Sequence, residues 1–347
     1  MKSNYFRLAA SASVALLAMN YAAAQAPLSL PASAPVQTTS ATGAESSNIN
    51  DWLMRLHQAS KTQTYIGTYV VSAGGVMSSA KIWHACEGNQ QIERVETLTG
   101  PPRSIYRHND QVVTFMPEQK VVRSEKRESL GLFPELLKST DNRIADFYKV
   151  RPDGVERVAG VAADVVVLTP KDDMRFGYRV WTEQKKGILV KLQTLDTDGK
   201  VLEQAAYSEL QLDAPVKIDK LRHLMADVSG FRLEQPVLLK TTASAEGWRL
   251  KSPVAGFKSM NCYKRPSAVP TAAGDEASLQ CIFSDGLASV SLFLEPVNRQ
   301  RPEKESSQAL GATRTLSRQF GAYWLTVMGE VPVATLKLFA DGLERKK

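Results

Sequence analysis

Cysteine occurs three times and histidine four times in 347 residues, too few for a disulfide-dense scaffold. The histidines stand at positions 57, 84, 108 and 223, and none belongs to an H-E-x-x-H pair, which excludes that zinc-protease chemistry. His84-Ala85-Cys86 sets two ligand-type side chains on one strand face, but with no second close pair it falls short of a zinc site. There is no G-x-S-x-G elbow and no P-loop. Asp172-Asp173 and Asp196/Asp198 sit in turn-like segments, where carboxylates bond the local backbone. Catalysis needs a reactive group beside an orienting partner. None is evident, so neither an enzyme nor a metal or other cofactor is expected. Proline and glycine, 17 and 21, follow no period, and no apolar run reaches the ~20 residues of a membrane helix.

What is present is the composition of a folded protein: 43% hydrophobic, 23% charged, and long enough for two domains. Residues 1–24 read as a secretory signal, with Lys2 and Arg7 ahead of the apolar Leu8–Ala18 and a small-residue site at Ala22–Ala24. Residues 25–47, rich in Pro, Ala, Ser and Thr, read as a flexible leader. Export to an oxidising compartment, most simply a bacterial periplasm, disfavours nucleic acid as a partner. The net charge of +7 and the clusters Arg123–Arg127, Lys185-Lys186 and Arg299–Lys304 suit acidic polypeptide or lipid phosphate, and equally a solvated face. In an exported chain a bridge between Cys262 and Cys281 would close a loop worth about 3 kcal/mol. Cys86 is then the odd thiol, half-buried at a strand end; pairing through Cys86 instead would tie the domains together.

Ile49, Trp52, Leu53 and Leu56 recur at helical spacing, and from Thr64 the period changes to two. The alternation predicts strands over Thr64–Ser72, Met77–Cys86, Gln91–Thr97, Ser104–His108, Gln111–Met116 and Lys120–Ser124. Five more follow at Val155–Val158, Ala163–Thr169, Phe176–Thr182, Ile188–Asp196 and Val201–Glu209. Connectors such as Gly74-Gly75 and Asn109-Asp110 are too short for parallel crossovers, so the strands form an antiparallel meander. The expected fold class is α+β. Residues 48–214 would form a large curved antiparallel sheet, a half-open barrel, whose concave face is covered by helices near Leu132–Leu137 and Arg143–Tyr148. Residues 215–236 read as a linker and 237–347 as a smaller α+β domain. In that smaller unit Pro332 opens a last helix with Leu336, Phe339, Ala340 and Leu343 as its stripe and Arg345–Lys347 at its negative end. Trp83, Phe133, Leu136, Leu137, Tyr178 and Trp181 are candidates to line a lipid cavity inside the curved sheet, the bland alternative being plain core.

Several segments resemble the RseB/MucB family of periplasmic negative regulators of the envelope-stress sigma factor, sigma-E: Arg157–Gly160, Leu168–Trp181, Leu202–Gln204, Phe283–Ser291 and Thr326–Pro332, in the family's order. The resemblance implies an N-terminal domain similar to the lipoprotein carriers LolA and LolB. It implies a C-terminal domain that binds the periplasmic part of a membrane-spanning anti-sigma factor, shielding it from site-one proteolysis. Lipid or lipopolysaccharide would be the releasing ligand, acting through inter-domain angle or through a homo-oligomer. A rival reading is a periplasmic lipid or lipoprotein carrier. Partner contacts are expected at the turn Ser284, Asp285, Gly286, Leu287 and at the corner Gly329, Glu330, Val331, Pro332. Leu287→Asp is accordingly expected to abolish partner binding at little cost in melting temperature.

Overall fold

The computed structural model describes residues 52, 54–56, 58–59, 61–88, 90–126, 144–236, 238–265, 277–297 and 305–346. The signal, the leader, the helix expected around Phe133, Leu136 and Leu137, and the cluster Arg299–Lys304 lie outside them.

Strands β1 (Tyr65–Ala73), β2 (Val76–Glu87), β3 (Gln90–Thr97), β4 (Ser104–His108), β5 (Gln111–Met116) and β6 (Val121–Lys126) are successive antiparallel neighbours. Strands β7 (Tyr148–Val158), β8 (Val161–Pro170), β9 (Gly177–Glu183), β10 (Leu189–Leu195) and β11 (Val201–Leu212) run back from the other edge, and β11 pairs with β1. This is the eleven-stranded meander that the alternation predicts, left open at β7. Its inner face carries Tyr69, Ile82, Val95, Val180 and Leu192, all buried. Their parity is fixed by register: Ile82 stands opposite Val95, and Leu192 opposite both Val180 and Ala205. Gly67 stands opposite Ile82 on the same inner face, and it is glycine because a Cβ there would meet the Tyr207 ring at 2.5 Å.

Helix α1 (Ile144–Phe147) leads into β7, and helical residues near 52–62 bring Trp52, Leu56 and Ala59 onto the inner core. Trp52 Nε1 donates to Thr182 Oγ1 at 3.2 Å. The segment read as a linker, 215–236, contains helix α2 (Ile218–Ala226) and strand β12 (Arg232–Glu234). The helix lays Ile218, Leu221 and Met225 on Ala85, Ile92, Val113 and Phe115, the outer face, while on the concave face the cover expected near Arg143–Tyr148 is α1, whose Ile144 joins the inner core. β12 joins β6 in parallel, reached through that helix.

The second sheet has the order β13 (Leu239–Thr241), β15 (Lys258–Arg265), β16 (Ser278–Ser284), β17 (Ser289–Pro296), β20 (Tyr323–Gly329), β19 (Thr313–Phe320) and β18 (Ser306–Leu310). β18 is exposed at all its positions and β19 buries only Leu316, so neither announces itself by apolar alternation. Cys262 on β15 and Cys281 on β16 are direct partners, Cα to Cα 4.1 Å, and form a disulfide. Helix α3 (Val333–Gly342) buries Leu336, Phe339 and Ala340 on this sheet. Arg345 does not serve the helix end as expected: it lies in β21 (Leu343–Arg345), paired with β14 (Trp248–Leu250), its guanidinium 4.8 Å from the Trp248 ring centre.

Candidate functional site

Down the middle of the inner face the side chains are apolar but do not fill the space. A cavity of about 320 Å³ remains, floored by Tyr69, Val71, Val95, Ile105, Leu192 and Ala205. That size falls in the lower range of small-molecule sites. Its polar residues are Ser78, Ser79, Thr97, Thr99, Arg103, Thr194, Glu203 and Glu330. All the lining belongs to the first sheet and its loops except Glu330, which stands at the corner between β20 and α3. Burial, with the Glu203 carboxylate adding to it, pushes the Glu330 carboxyl up from 4.5 to about 7. Burial likewise pushes the Tyr69 hydroxyl to about 12.

Apart from the cavity, the two sheets are joined by a buried ionic junction. Arg175, in the loop between β8 and β9, is fully buried, as is Asp285 in the β16–β17 turn. The Arg175 Nη1 donates to Asp285 Oδ2 at 2.9 Å, its Nη2 to the Ala255 carbonyl at 2.7 Å, and its Nε to Asp172 Oδ1 at 3.0 Å. The guanidinium also lies 4.4 Å from the Phe147 ring centre and 5.3 Å from that of Phe257. Asp285 accepts further from the Leu287 and Ala288 amides and from the Tyr148 hydroxyl. Burial pushes its carboxyl up, with the Leu287 amide and the Arg175 guanidinium pulling the other way. Thr335 Oγ1 on α3 donates to the Met174 carbonyl at 2.7 Å, and the Ala312 amide to Glu203 Oε2 at 3.3 Å. The halves are thus coupled at the cavity wall, through Glu203, and at the ionic junction.

The expected site residues fall in three places. Ser284, Asp285, Gly286 and Leu287 do form a turn, but it is packed between the sheets: Leu287 is 9% exposed and belongs to the first sheet's core. Its Asp285 and Leu287 are buried while Ser284 and Gly286 are half-buried, and the burial of Leu287 corrects the expectation that Leu287→Asp would spare stability. Gly329, Glu330, Val331 and Pro332 form the corner that supplies the cavity's one residue from the second sheet; Val331 itself is fully buried. Of the lipid-cavity candidates, Tyr178 is on the inner face, buried beside Tyr148 with ring centres 6.0 Å apart, and is not part of the cavity wall. Trp83 and Trp181 are on the opposite face. Trp83 pairs in register with Arg94, whose guanidinium is 4.7 Å from its ring centre. Trp181 pairs with Lys191, whose Nζ is 4.2 Å from the ring centre, and donates to Glu156 Oε2. Aromatic character suggested an interior place, but strand parity decides the face.

Arg175 and Glu203 were not evident from sequence, although both lie inside segments that carry the family resemblance. Cys86 is half-buried outside the disulfide, with its Sγ 3.8 Å from His84 Nδ1. Among the described residues no three His, Cys, Asp or Glu side chains are grouped to hold a metal ion. A second, open groove of about 570 Å³ is bounded by Gln111, Glu125 and Lys126 of the first sheet and by Pro236, Lys240 and Tyr263.

The family model for the MucB/RseB N-terminal domain matches residues 48–225, and that for the MucB/RseB C-terminal domain matches residues 242–344. The chain is 28% identical over 304 residues to the sigma factor AlgU regulatory protein MucB of Pseudomonas aeruginosa, covering 85% of this chain and 90% of that protein. It is 24% identical over 294 residues to the sigma-E factor regulatory protein RseB of Escherichia coli, covering 84% and 89%. The complex structure of Pseudomonas aeruginosa MucA/MucB superposes with a TM-score of 0.67 at 25% identity, covering 86% of this chain and 99% of that one. The crystal structure of MucB in complex with MucA(peri) gives 0.64 at 25% identity, covering 86% and 98%. One match falls on each of the two sheets joined by the Arg175–Asp285 junction, and the chain belongs to the MucB/RseB family.

Proposed function

We propose that this protein is an exported regulator without catalytic activity. It binds the periplasmic domain of a membrane-spanning anti-sigma factor, shields it from site-one proteolysis and so represses the envelope-stress sigma factor; lipid or lipopolysaccharide releases the hold. Membership of the family supports the reading, as do relatives named sigma factor regulatory proteins and the crystallised complex of MucB with MucA(peri). The observation that carries the release step is the cavity wall contributed by both halves. An occupant touching Glu330 as well as Val71 and Leu192 interacts differently with different arrangements of the two sheets. That differential affinity is what couples one ligand to another. Weakening partner binding tenfold needs a coupling of about 1.4 kcal/mol. The polar groove beside Pro236 and Lys240 is the seat proposed for the partner peptide.

The test is a protection assay. The purified anti-sigma periplasmic domain is exposed to the site-one protease with and without this protein, then with lipopolysaccharide added. Slowed cleavage, restored by lipopolysaccharide, is the expected result; cleavage at the unprotected rate overturns the shielding. The apolar cavity also favours a lipid or lipoprotein carrier, which would move labelled lipid between vesicle populations whether or not the anti-sigma domain is present.

A further inference from the structure

Around the mouth of the inner-face cavity three loop tips expose apolar side chains and carry no charge. The β1–β2 hairpin presents Val76 and Met77, 62% and 68% exposed; the β3–β4 loop presents Leu98 at 52%; the β18–β19 turn presents Leu310 at 60%. They form one neighbourhood. The Leu98 amide donates to the Ser79 carbonyl at 2.9 Å, and the Ser79 amide to Thr99 Oγ1 at 2.9 Å. Gly74 in the hairpin lies so close to the other sheet that a Cβ on it would meet Gly311 N and Leu310 Cδ1 at 3.2 Å. Ser78, Ser79, Thr97 and Thr99 of these same segments line the cavity.

The charge pattern is the second observation. Residues 72–80, 97–102 and 306–313 contain no Asp, Glu, Lys or Arg, in a chain of which 23% is charged. The one cation of the β3–β4 loop, Arg103, stands at its last position, next to β4, and is itself a cavity-lining residue. A rim made for another protein is ordinarily polar and charged. Contact with hydrocarbon instead penalises every charge, and exposed apolar patches beside a cavity mark membrane or ligand contact.

We propose that these three tips are a membrane-docking surface: Val76, Met77, Leu98 and Leu310 enter the headgroup boundary of a lipid bilayer, and Arg103 meets a lipid phosphate. An acyl chain leaving the bilayer would then reach the cavity between uncharged loop tips. The inference rests on lipid as the releasing ligand and adds the surface from which that lipid is taken.

The experiment is co-flotation of the full chain with vesicles of phosphatidylethanolamine and phosphatidylglycerol, run beside titration of a monomeric fluorescent lysophospholipid. The parent protein is expected to float. The double variant Val76→Asp/Met77→Asp, and separately Leu310→Asp on the other sheet, should each reduce flotation by about tenfold or more while still taking up the monomeric lipid. Leu338→Asp, at a 44% exposed leucine on α3, should float like the parent. Far-ultraviolet circular dichroism confirms the fold of each variant, and having tips on two sheets leaves one readable if the other is damaged. A parent that fails to float while binding the monomeric lipid, or folded tip variants that float undiminished, overturns the docking surface and leaves the cavity reading standing. Flotation lost in the tip variants from a parent that takes up no monomeric lipid supports docking and removes the cavity reading.

Discussion

Arg175 and Asp285, 110 residues apart in sequence, form an ion pair at 2.9 Å in which neither side chain reaches solvent. Arg175 belongs to the first sheet and bonds Asp285 and the Ala255 carbonyl of the second half, while Asp285 also accepts from Tyr148 of the first, so the pair sits where the two halves meet. Isolated buried charges are expensive, and a paired one is tolerated only when its remaining hydrogen bonds are met. Here they are, through Asp172, Ala255, Tyr148 and the Leu287 and Ala288 amides.

Removing one partner should therefore cost more than removing both. Asp285→Ala leaves the buried Arg175 guanidinium with only the half-buried Asp172 carboxylate as counter-charge and is expected to lower unfolding free energy by about 3 kcal/mol. The double variant Arg175→Met/Asp285→Leu should recover much of that loss in urea denaturation. Equal losses for the two would mean that lost packing, not a stranded charge, sets the cost.

Leu287 provides an independent probe of the same junction. Because it is nearly buried in the first sheet's core, Leu287→Ala should cost about 2–3 kcal/mol, and Leu287→Asp more. Thermal melting is the check. An unshifted melting temperature for Leu287→Asp would show that the turn faces solvent.

Glu330 makes stability depend on pH near neutrality. Its carboxyl titrates near 4.5 in the unfolded chain and at about 7 in the folded one. Below both values the group is protonated in either state and contributes no difference. From about pH 4.5 upward the unfolded chain ionises while the folded state keeps its proton, so stability declines relative to Glu330→Gln until the folded carboxyl ionises as well, near 7. The gap should level off above that range at on the order of 1–2 kcal/mol, reduced by partial solvent contact. Denaturation of both proteins at pH 5 and at pH 8, values chosen on either side of about 7, reads it directly. An equal gap at both pH values would rule out the raised titration.

The Cys262–Cys281 bridge closes a separation of 19 residues. Cys262→Ala/Cys281→Ala should cost about 3 kcal/mol on the chain-entropy account. Cys86→Ser, outside the bridge, serves as the control. Loss confined to the double variant, read by urea denaturation without reductant, is the expected pattern.

Much of the first sheet was legible because alternation and short turns are local signals. Ser104–His108 and Gln111–Met116 fall where the pattern put them, since Asn109-Asp110 can only reverse the chain there. The second sheet was less legible at β15, β18 and β19, where polar residues on an edge or beside a disulfide leave little periodicity. Trp83 and Trp181 take the face opposite the cavity: residue type indicates burial, while one step along a strand reverses direction.

The sequence by itself determined the antiparallel meander, the spacing that closes one disulfide loop, the absence of familiar catalytic motifs and the family likeness, all of which depend on short-range pattern. Only the tertiary structure decided that the Asp285 turn is an internal latch, that Glu330 completes a cavity belonging otherwise to the first sheet, and that three uncharged loops meet at its mouth. Each of those relationships joins the two sheets through residues that stand more than a hundred positions apart. No local propensity encodes them, because they arise from how two separately patterned sheets pack.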